Sequence, residues 1–331
     1  MKILDIKNWA KELGFCEAAL CDASSFDAQK QQVMMQPPLS ERKQLKFDPM
    51  QENADVKSLM VLLWPYAQCE EAAGREVFID SYYAASNAAY HAAKHLEEKI
   101  RLNGRYARAN VSYPAKEAAV RAGLGIIGDH SLLIHPEQGS RVIIILMETD
   151  LPVDAEKAVN RGECLHCGKC AQICPTSAIS EKGMIHPERC MRNFMMEGVV
   201  VPQKYRSLMK ERMLGCDLCQ RVCPMQHKTK EVGGKWLLDD FLTDDPNVFS
   251  ASVRRLAQEI GRNAARPQRI RAQAALLCGN IGCADDLPVL RTWADSDFEA
   301  VREHSRWAIT QIENREKLTP GIPAPGLDQT T

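Results

Sequence analysis

Seven of the thirteen cysteines stand in two compact groups with the spacing of metal ligands. Residues 163–175, ECLHCGKCAQICP, have the pattern C-x2-C-x2-C-x3-C-P, residues 216–224 have C-x2-C-x3-C-P, and Cys190 stands between them. Thiolates two residues apart can bind neighbouring irons of one cubane, and a cysteine before proline binds the neighbouring cluster. The pattern therefore predicts two [4Fe–4S] clusters that exchange ligands.

This exchange predicts which cysteines share a cluster. The first set is Cys164, Cys167, Cys170 and Cys223, and the second is Cys174, Cys190, Cys216 and Cys219. A pair of four-cysteine zinc sites is the alternative, but zinc does not require the interleaved pattern. The remaining thiols stand in apolar surroundings and are predicted to be buried and inert. They are Cys16, Cys21, Cys69, Cys278 and Cys283.

The composition excludes several classes of protein. A formal net charge of −1 gives no overall basic field for nucleic acid, so such a surface must be local. The apolar runs at 59–64 and 142–147 are too short to cross a bilayer and predict buried strands. The first residues lack the apolar segment of a signal peptide, so the cysteines favour metal ligation over disulfides. We predict a cytoplasmic protein that does not bind membranes.

The elements that must position these cysteines are predicted from hydrophobic periodicity. Strands at 15–21, 56–64 and 141–149 alternate with helices at 5–14, 80–101 and after Pro114. This alternation predicts an α+β or α/β domain at 1–158. The cysteine-rich segment, 159–228, has few apolar residues and is expected to fold around its metal.

The rest of the chain is predicted to be helical. A linker at 229–249 leads to residues 250–316, where the apolar pattern suggests two helical hairpins of a short solenoid. The Pro/Gly-rich tail, 317–331, is predicted to be disordered.

Gly123, Gly125 and Gly128 form the pattern G-x-G-x-x-G of dinucleotide-binding folds. That site needs a strand before the glycines and a helix after them. Here the helical stretch AKEAAVRA precedes them and the extended stretch SLLIH follows. The inverted order argues against a phosphate site and favours a helix end followed by a tight turn.

Three stretches together resemble epoxyqueuosine reductase, a cobalamin-dependent iron–sulfur enzyme of queuosine tRNA modification related to corrinoid reductive dehalogenases. They are RAGLGIIGDHSLLIHPEQGS, the double cysteine motif ending in LGCDLCQRVCP, and IGRNAARPQRIRAQAALLCGNIG with REHSRWAI. The resemblance covers nearly the whole chain. It implies an α+β protein with an N-terminal α/β corrinoid-binding domain, a two-cluster ferredoxin-like module and a C-terminal HEAT-like domain that helps to hold tRNA. It also implies base-off cobalamin without a protein histidine on cobalt, an external low-potential electron donor, and a monomer.

The resemblance also assigns cofactor-binding residues. Those that would shape the corrinoid pocket are Gly123, Gly125, Gly128, Gly139 and Ser140. Glycines let the backbone approach a flat ring, although a turn is the alternative for any single glycine. Leu133, His135 and Ile144 lie on segments that face the cofactor in the family. Gly215 and Asp217 would lie where the first cluster meets the corrinoid. Lys46 stands where the family has an arginine.

The sequence departs from the family at its proposed proton donor. The family has an aspartate twelve residues before the arginine of RAGLG, and the same count from Arg121 reaches Ala109. Alanine cannot donate a proton. His91, which matches the histidine of the family's DYH, is the first candidate replacement because it titrates in the right range, and Tyr113 is the second. A surface histidine is the alternative for His91, and a changed substrate is the alternative for the whole site.

An excess of arginine precedes the last helices. Against one acid, Glu259, stand Arg254, Arg255, Arg262, Arg266, Arg269 and Arg271. Arginine pairs bidentately with phosphate, so these residues are predicted to bind the RNA backbone, with a solvated helix face as the alternative. The resemblance implies reduction of epoxyqueuosine in tRNA. The alternatives are a corrinoid and iron–sulfur reductase with another substrate, and a ferredoxin-like electron carrier.

Overall fold

The computed structural model describes residues 3–35, 45–153, 162–180, 185–227, 231–232 and 236–318. All but the first two residues of the predicted disordered tail lie outside these ranges. The strands are β1 (Glu17–Asp22), β2 (Ser58–Pro65), β3 (Gln68–Cys69), β4 (Phe78–Ile79), β5 (Ala107–Ala109), β6 (Ile126–Ile127), β7 (Leu133–Ile134), β8 (Val142–Thr149), β9 (Arg212–Leu214) and β10 (Glu231–Val232).

The α-helices of the first half are α1 (Ile3–Glu12), α2 (Asp27–Met34), α3 (Pro49–Glu52), α4 (Ser81–Leu102) and α5 (Ala115–Arg121). Those of the second half are α6 (Lys169–Ile173), α7 (Met191–Phe194), α8 (Gln203–Arg206), α9 (Leu218–Arg221), α10 (Pro246–Ile260), α11 (Pro267–Ile281), α12 (Leu287–Trp293) and α13 (Glu299–Leu318). Across the described ranges, no helix is both long and apolar enough to span a membrane.

The central sheet has the strand order β1-β2-β8-β5, and every neighbouring pair is antiparallel. The three predicted strands correspond to β1, β2 and β8. Because the sheet contains no parallel pair, the α/β description of this domain is wrong and the α+β description holds. Hydrophobic periodicity locates strands, but it does not specify the direction of their neighbours.

Both faces of β2 are covered. Met60 and Leu62 pack with α1 and α4 on one face, while Leu59, Val61 and Leu63 pack with α5 on the other. A strand buried on both faces needs a continuous apolar run, which is what SLMVLLWP provides. This packing holds α4 and α5 against opposite faces of the sheet.

The cysteine-rich segment shares a core with the C-terminal helices. Met191, Phe194 and Met213 belong to the same buried cluster as Leu256 and Leu277. The segment therefore packs against α10–α13 as well as around its thiols.

Residues of the predicted linker belong to this core too. Trp236, Leu238 and Phe241 are all buried within it. Within the predicted linker, 229–249, the described stretch WLLDDFL is therefore a packed segment.

The predicted helical region is confirmed as α10–α13. Asp245 accepts hydrogen bonds from the first backbone amides of α10, which begins with Pro246, and Pro267 begins α11. Helices α11 and α13 approach closely at Gly279, where a Cβ atom would lie 2.3 Å from the Trp307 ring.

Candidate cluster ligands and the adjoining cavity

Several of the eight motif cysteines lie within electrostatic range of one another. Burial raises the pKa of Cys223, and the neighbouring Cys164 and Cys167 add to this effect. Burial and the proximity of Cys164 also raise the pKa of Cys170. Cys164 therefore lies within electrostatic range of Cys170 and of Cys223, which is distant along the chain.

The second group is more deeply placed. Burial raises the pKa of Cys219 well above its usual range, with further contributions from Cys216, Cys190 and Cys174. Burial raises the pKa of Cys216 to about 12, and Cys190 contributes to it. Cys170 also contributes to the shift of Cys219, which links the two groups.

Short helices position the thiols. Gly168, with a φ of 71°, precedes α6, which carries Cys170, and the Cys174 Sγ accepts a hydrogen bond from the backbone amide of Ala178. Helix α9 begins after Asp217 and carries Cys219. Compact turns of this kind bring thiols two or three residues apart to one point.

The donor set fits iron–sulfur clusters. Each predicted set offers four thiols, and a thiol loses its proton when it binds a metal. Thiolates are the ligands that iron–sulfur clusters use. Asp129 and His166 also approach Cys164, with the three ligand atoms within 4.8 Å of one another. This contact belongs to the edge of the first group.

A cavity of about 330 Å³ adjoins the second group. Its walls come from the residue after β2, from β8 and the residues before it, from α4 with its N-cap, from α5, from the β6–β7 hairpin and from the cysteine segment. The lining residues are Tyr66, Asp80, Tyr82, Ala115, Lys116, Leu132, Leu133, Ser140, Val142, Ile143, Ile144, Arg192, Cys216 and Gln220. Cys216 thus belongs both to a thiol group and to the cavity wall.

The cysteine loop meets the start of α4 beside this cavity. The backbone amide of Asp80 donates to the Leu214 carbonyl at 2.9 Å, and the Asp80 carboxylate accepts the Tyr82 amide as the N-cap of α4. Gly215 has a φ of 91°, and a Cβ atom there would lie 2.4 Å from the Asp80 Cβ. Glycine is required for this approach. Burial raises the pKa of Asp80 to about 6.

Polar contacts join the cysteine segment to β8. Gln220 Nε2 donates to the Ser140 carbonyl at 2.9 Å, and the Ser140 amide donates to Gln226 Oε1 at 2.8 Å. Asp217 is fully buried and accepts hydrogen bonds from Arg141 and Arg221. Ser140 and Arg141 on one side, and Asp217, Gln220 and Gln226 on the other, therefore hold the second thiol group against the cavity.

The predicted cofactor residues divide into two sets. Leu133, Ser140 and Ile144 line the cavity. His135 instead accepts backbone amides of its own turn through Nδ1, and Lys46 pairs with Glu52 on the surface. Neither of these two is among the residues lining the cavity.

The predicted glycines mainly allow segments of the protein to approach one another. A Cβ atom at Gly125 would lie 2.3 Å from the Ile134 carbonyl, and one at Gly139 would lie 2.8 Å from the Gln226 side chain. At Gly128 it would lie 2.6 Å from the Ile134 side chain. Gly123, with a φ of 72°, directly follows the C-cap of α5. The predicted helix end and tight turn are therefore what the structure contains.

The predicted catalytic residues lie elsewhere. His91 is exposed on α4 against the ring of Tyr90. The buried Tyr113 hydroxyl donates to Glu148 Oε1 at 2.7 Å. Ala109 ends β5, and its amide donates to Glu97. Within the described ranges, the cavity wall contains none of the three residues that the sequence singled out.

Three ionisable groups that line the cavity belong to no motif. Asp80, Lys116 and Arg192 converge on it from α4, α5 and the cysteine segment. Asp80 stands directly before a long helical pattern, which signals a helix cap but not a site. Sequence reasoning therefore missed them.

The six predicted RNA-binding arginines differ in their surroundings. Arg255 and Arg266 pair with Asp240 and Glu197. Arg271 is partly buried over the rings of Phe249 and Trp293, and Arg269 lies over Tyr83. Those that are simply exposed are Arg254 and Arg262.

Comparisons with known proteins agree with these observations. A family model described as a 4Fe-4S double cluster binding domain matches residues 163–226, which confirms the prediction of two clusters. The epoxyqueuosine reductase of Vibrio cholerae serotype O1 is 29% identical to the chain, and the match covers 95% of the chain and 93% of that protein. The enzyme of that name from Aliivibrio fischeri is 27% identical over 76% of the chain and 78% of that protein. The predicted resemblance is confirmed.

Other relatives match over a shorter length. The chain spans 59% of the epoxyqueuosine reductase of Lactococcus garvieae, to which it is 28% identical. Among solved structures, epoxyqueuosine reductase with an epoxyqueuosine-modified tRNA-Tyr stem loop has a TM-score of 0.78, at 21% identity, over 94% of this chain and 90% of that one. The enzyme from Streptococcus thermophilus has a TM-score of 0.76, at 18% identity, over 98% and 95%. These structures share the fold of this chain.

Proposed function

We propose that this chain, whose relatives are epoxyqueuosine reductases, reduces the epoxide of epoxyqueuosine in tRNA to the alkene. The observation that carries the proposal is the position of Cys216, which stands in a group of four thiols and also lines the cavity. Electrons held by a cluster at this group would be available to a molecule in the cavity. The similarity to reductases over nearly the whole chain names the substrate.

The cluster ligands we propose are those predicted from the motifs. They are Cys164, Cys167, Cys170 and Cys223 for the first cluster, and Cys174, Cys190, Cys216 and Cys219 for the second. Iron–sulfur clusters transfer single electrons at low potential. Because Cys167 is exposed whereas Cys216 lines the cavity, an external low-potential donor would deliver electrons at the first cluster.

The cavity suits base-off cobalamin, the cofactor that the resemblance implies. Leu132, Leu133 and the strand residues Val142, Ile143 and Ile144 offer an apolar wall to a flat macrocycle. When bound, a corrinoid supplies a strongly reducing metal centre. Ser140 and Gln220 would fix its polar edge.

The C-terminal helices would hold the tRNA as a HEAT-like domain. Arg254 and Arg262 are exposed on and after α10, where their guanidinium groups can reach phosphates. The tRNA stem loop in a structure of the same fold supports this role. We further propose that the protein acts as a monomer.

A second candidate is a reductase of the same architecture with a different substrate. Ala109 occupies the position of the family's proton-donating aspartate, and it is buried at the end of β5. A substrate whose leaving group needs no proton would tolerate this alanine.

The test is anaerobic turnover of tRNA that carries epoxyqueuosine, with iron- and cobalamin-loaded protein and a low-potential reductant. We expect queuosine to form, and we expect Cys216→Ala to abolish its formation. Cys283→Ala is the matched control, because Cys283 belongs to neither thiol group. Loaded protein that leaves epoxyqueuosine unchanged would support the second candidate.

A further inference from the structure

Lys116 brings a cation to the cavity. It is the second residue of α5 and lines the cavity with Ala115. Its Nζ donates to the carbonyl oxygen and to the hydroxyl of Ser131, at 2.7 and 2.9 Å. An ammonium group has three N–H bonds. Two of them point to Ser131, so the third can serve a molecule in the cavity.

Ser131 has an unusual conformation for this contact. Its φ of 61° lies in the left-handed region, and its backbone amide donates to the Gly128 carbonyl at 2.8 Å. A non-glycine residue in this region is uncommon, and such residues concentrate at functional sites. Here the conformation presents both oxygens of Ser131 to Lys116.

The surroundings of Lys116 favour proton release. Burial lowers its pKa from the usual lysine range, and Glu117 on the same helix partly opposes the shift. His130, from the β6–β7 turn, also lies nearby, and burial lowers its pKa to about 4, so it is neutral at pH 7. The other titratable or charged groups that face the cavity are Tyr66, Asp80, Tyr82, Arg192 and Cys216.

We propose that Lys116 donates a proton to the oxygen that leaves the substrate. The inference rests on the proposed function, because it assigns the acid of that same reaction. Ala109 cannot donate a proton, and Lys116 takes this role although no sequence motif identifies it. Lys116 is only partly buried, so solvent can restore its proton through the cavity.

Reduction of the epoxide to the alkene consumes two electrons and two protons. Two carbon–oxygen bonds of the epoxide break, a carbon–carbon double bond forms, and the oxygen leaves as water. The carbons gain two electrons, which the external low-potential donor would supply through the clusters that the motif cysteines would hold. The oxygen takes two protons, one from Lys116 Nζ and one from solvent. Lys116 is left as a neutral amine until water protonates it.

Asp80 is the competing donor, since it lines the same cavity. Its carboxylate already accepts the Tyr82 amide at the start of α4. Asp80→Asn keeps this cap, because asparagine is an equally good N-cap residue. This variant therefore separates a carboxylic donor from a structural cap.

The experiment compares Lys116→Met, Lys116→Arg and Asp80→Asn in the fully loaded protein. General acid catalysis contributes about 10²–10⁴-fold, so Lys116→Met is expected to lower kcat about 100-fold or more, with iron content and tRNA affinity unchanged. Lys116→Arg keeps the charge but does not release a proton near neutral pH, so it should stay inactive. Activity restored by arginine would overturn the proton-donor role, as would a loss confined to Asp80→Asn.

Two further measurements test whether the protonation state of Lys116 controls the reaction. The wild-type rate should fall as the pH rises through the lowered pKa of Lys116, and any activity left in Lys116→Met should lack this decline. NMR of 13C-methylated lysines, with the Lys116 signal assigned by its loss in Lys116→Met, should show titration below the ordinary lysine range. Titration in the ordinary range would contradict the proposal.

The two proposals can fail separately. Wild-type protein that does not reduce epoxyqueuosine overturns the proposed function, and the role of Lys116 falls with it. Wild-type activity that survives in Lys116→Met overturns only the role of Lys116.

Discussion

The Arg141 guanidinium donates to the Asp217 carboxylate at 2.9 Å, and neither side chain is more than 1% exposed. Arg141 directly precedes β8, and Asp217 stands between Cys216 and Cys219. The ion pair therefore joins the central sheet to the second thiol group. Asp217 also accepts a hydrogen bond from Arg221 at 2.9 Å, so one carboxylate serves two guanidinium groups.

Asp217→Ala is expected to destabilise the protein strongly. Removing one partner of a buried ion pair leaves the other charge uncompensated and costs about 3–5 kcal/mol. The free energy of unfolding, measured by denaturant titration of the metal-free protein, should fall by about that amount. The control is Glu313→Ala, which breaks an exposed pair with Arg291 and should cost less than about 1 kcal/mol. Equal effects of the two changes would contradict this account.

Cys190→Ala is expected to remove one cluster and spare the other. Cys190 is the one proposed ligand outside both compact motifs, and it lies near Cys216 and Cys174. Anaerobically loaded wild-type protein should contain about eight irons, and the variant about four. Iron analysis and the thiolate-to-iron absorption measure this directly, with Cys283→Ala as the control. Stoichiometric zinc in place of iron would rule out the assignment.

The exposed arginines are expected to control tRNA affinity without affecting stability. Arg254→Gln combined with Arg262→Gln should weaken tRNA binding. The slope of log K against the logarithm of the salt concentration should become shallower by roughly 1 to 2, because fewer counterions are released. The Tm should stay constant. Arg271→Gln should instead lower the Tm, because this guanidinium lies 4.2 Å from the Phe249 ring centroid. Unchanged tRNA binding in the double variant would place the RNA site elsewhere.

His304 is expected to make stability depend on pH. It is buried, its Nε2 accepts the Val201 amide at 3.0 Å, and burial lowers its pKa to about 4. The folded protein therefore favours the neutral imidazole of His304. In the unfolded chain this imidazole is protonated below the ordinary histidine pKa of about 6.5. This contribution is present above pH 6.5 and is lost as the pH falls towards 4, by up to about 3 kcal/mol.

His304→Gln tests this dependence, since glutamine does not titrate. Its Tm should vary less than that of the wild type between pH 7 and pH 4.5, with the remaining variation partly due to His130. His91→Gln is the matched control because His91 is exposed. If both variants keep the wild-type slope, His304 does not carry the effect.

Local chemistry made several features predictable from sequence. Cysteine spacing specifies a ligand set because neighbouring thiols must reach one cluster, and the grouping of Cys223 with the first motif follows from the same rule. The position of α4 follows from its N-cap Asp80 and its apolar spacing. The inverted surroundings of Gly123 predicted a helix end, and α5 ends there.

Tertiary structure decided what depends on contacts between distant segments. The antiparallel order of the sheet and the burial of Trp236 arise from packing that no local pattern encodes. The same holds for the site. His91 had a family motif and lies on the surface, whereas Lys116 had none and lines the cavity with Asp80 and Cys216. Sequence specifies which groups can ligate or donate, but only the folded chain brings α4, α5 and the cysteine loop to one cavity, because each is held there by a different part of the core.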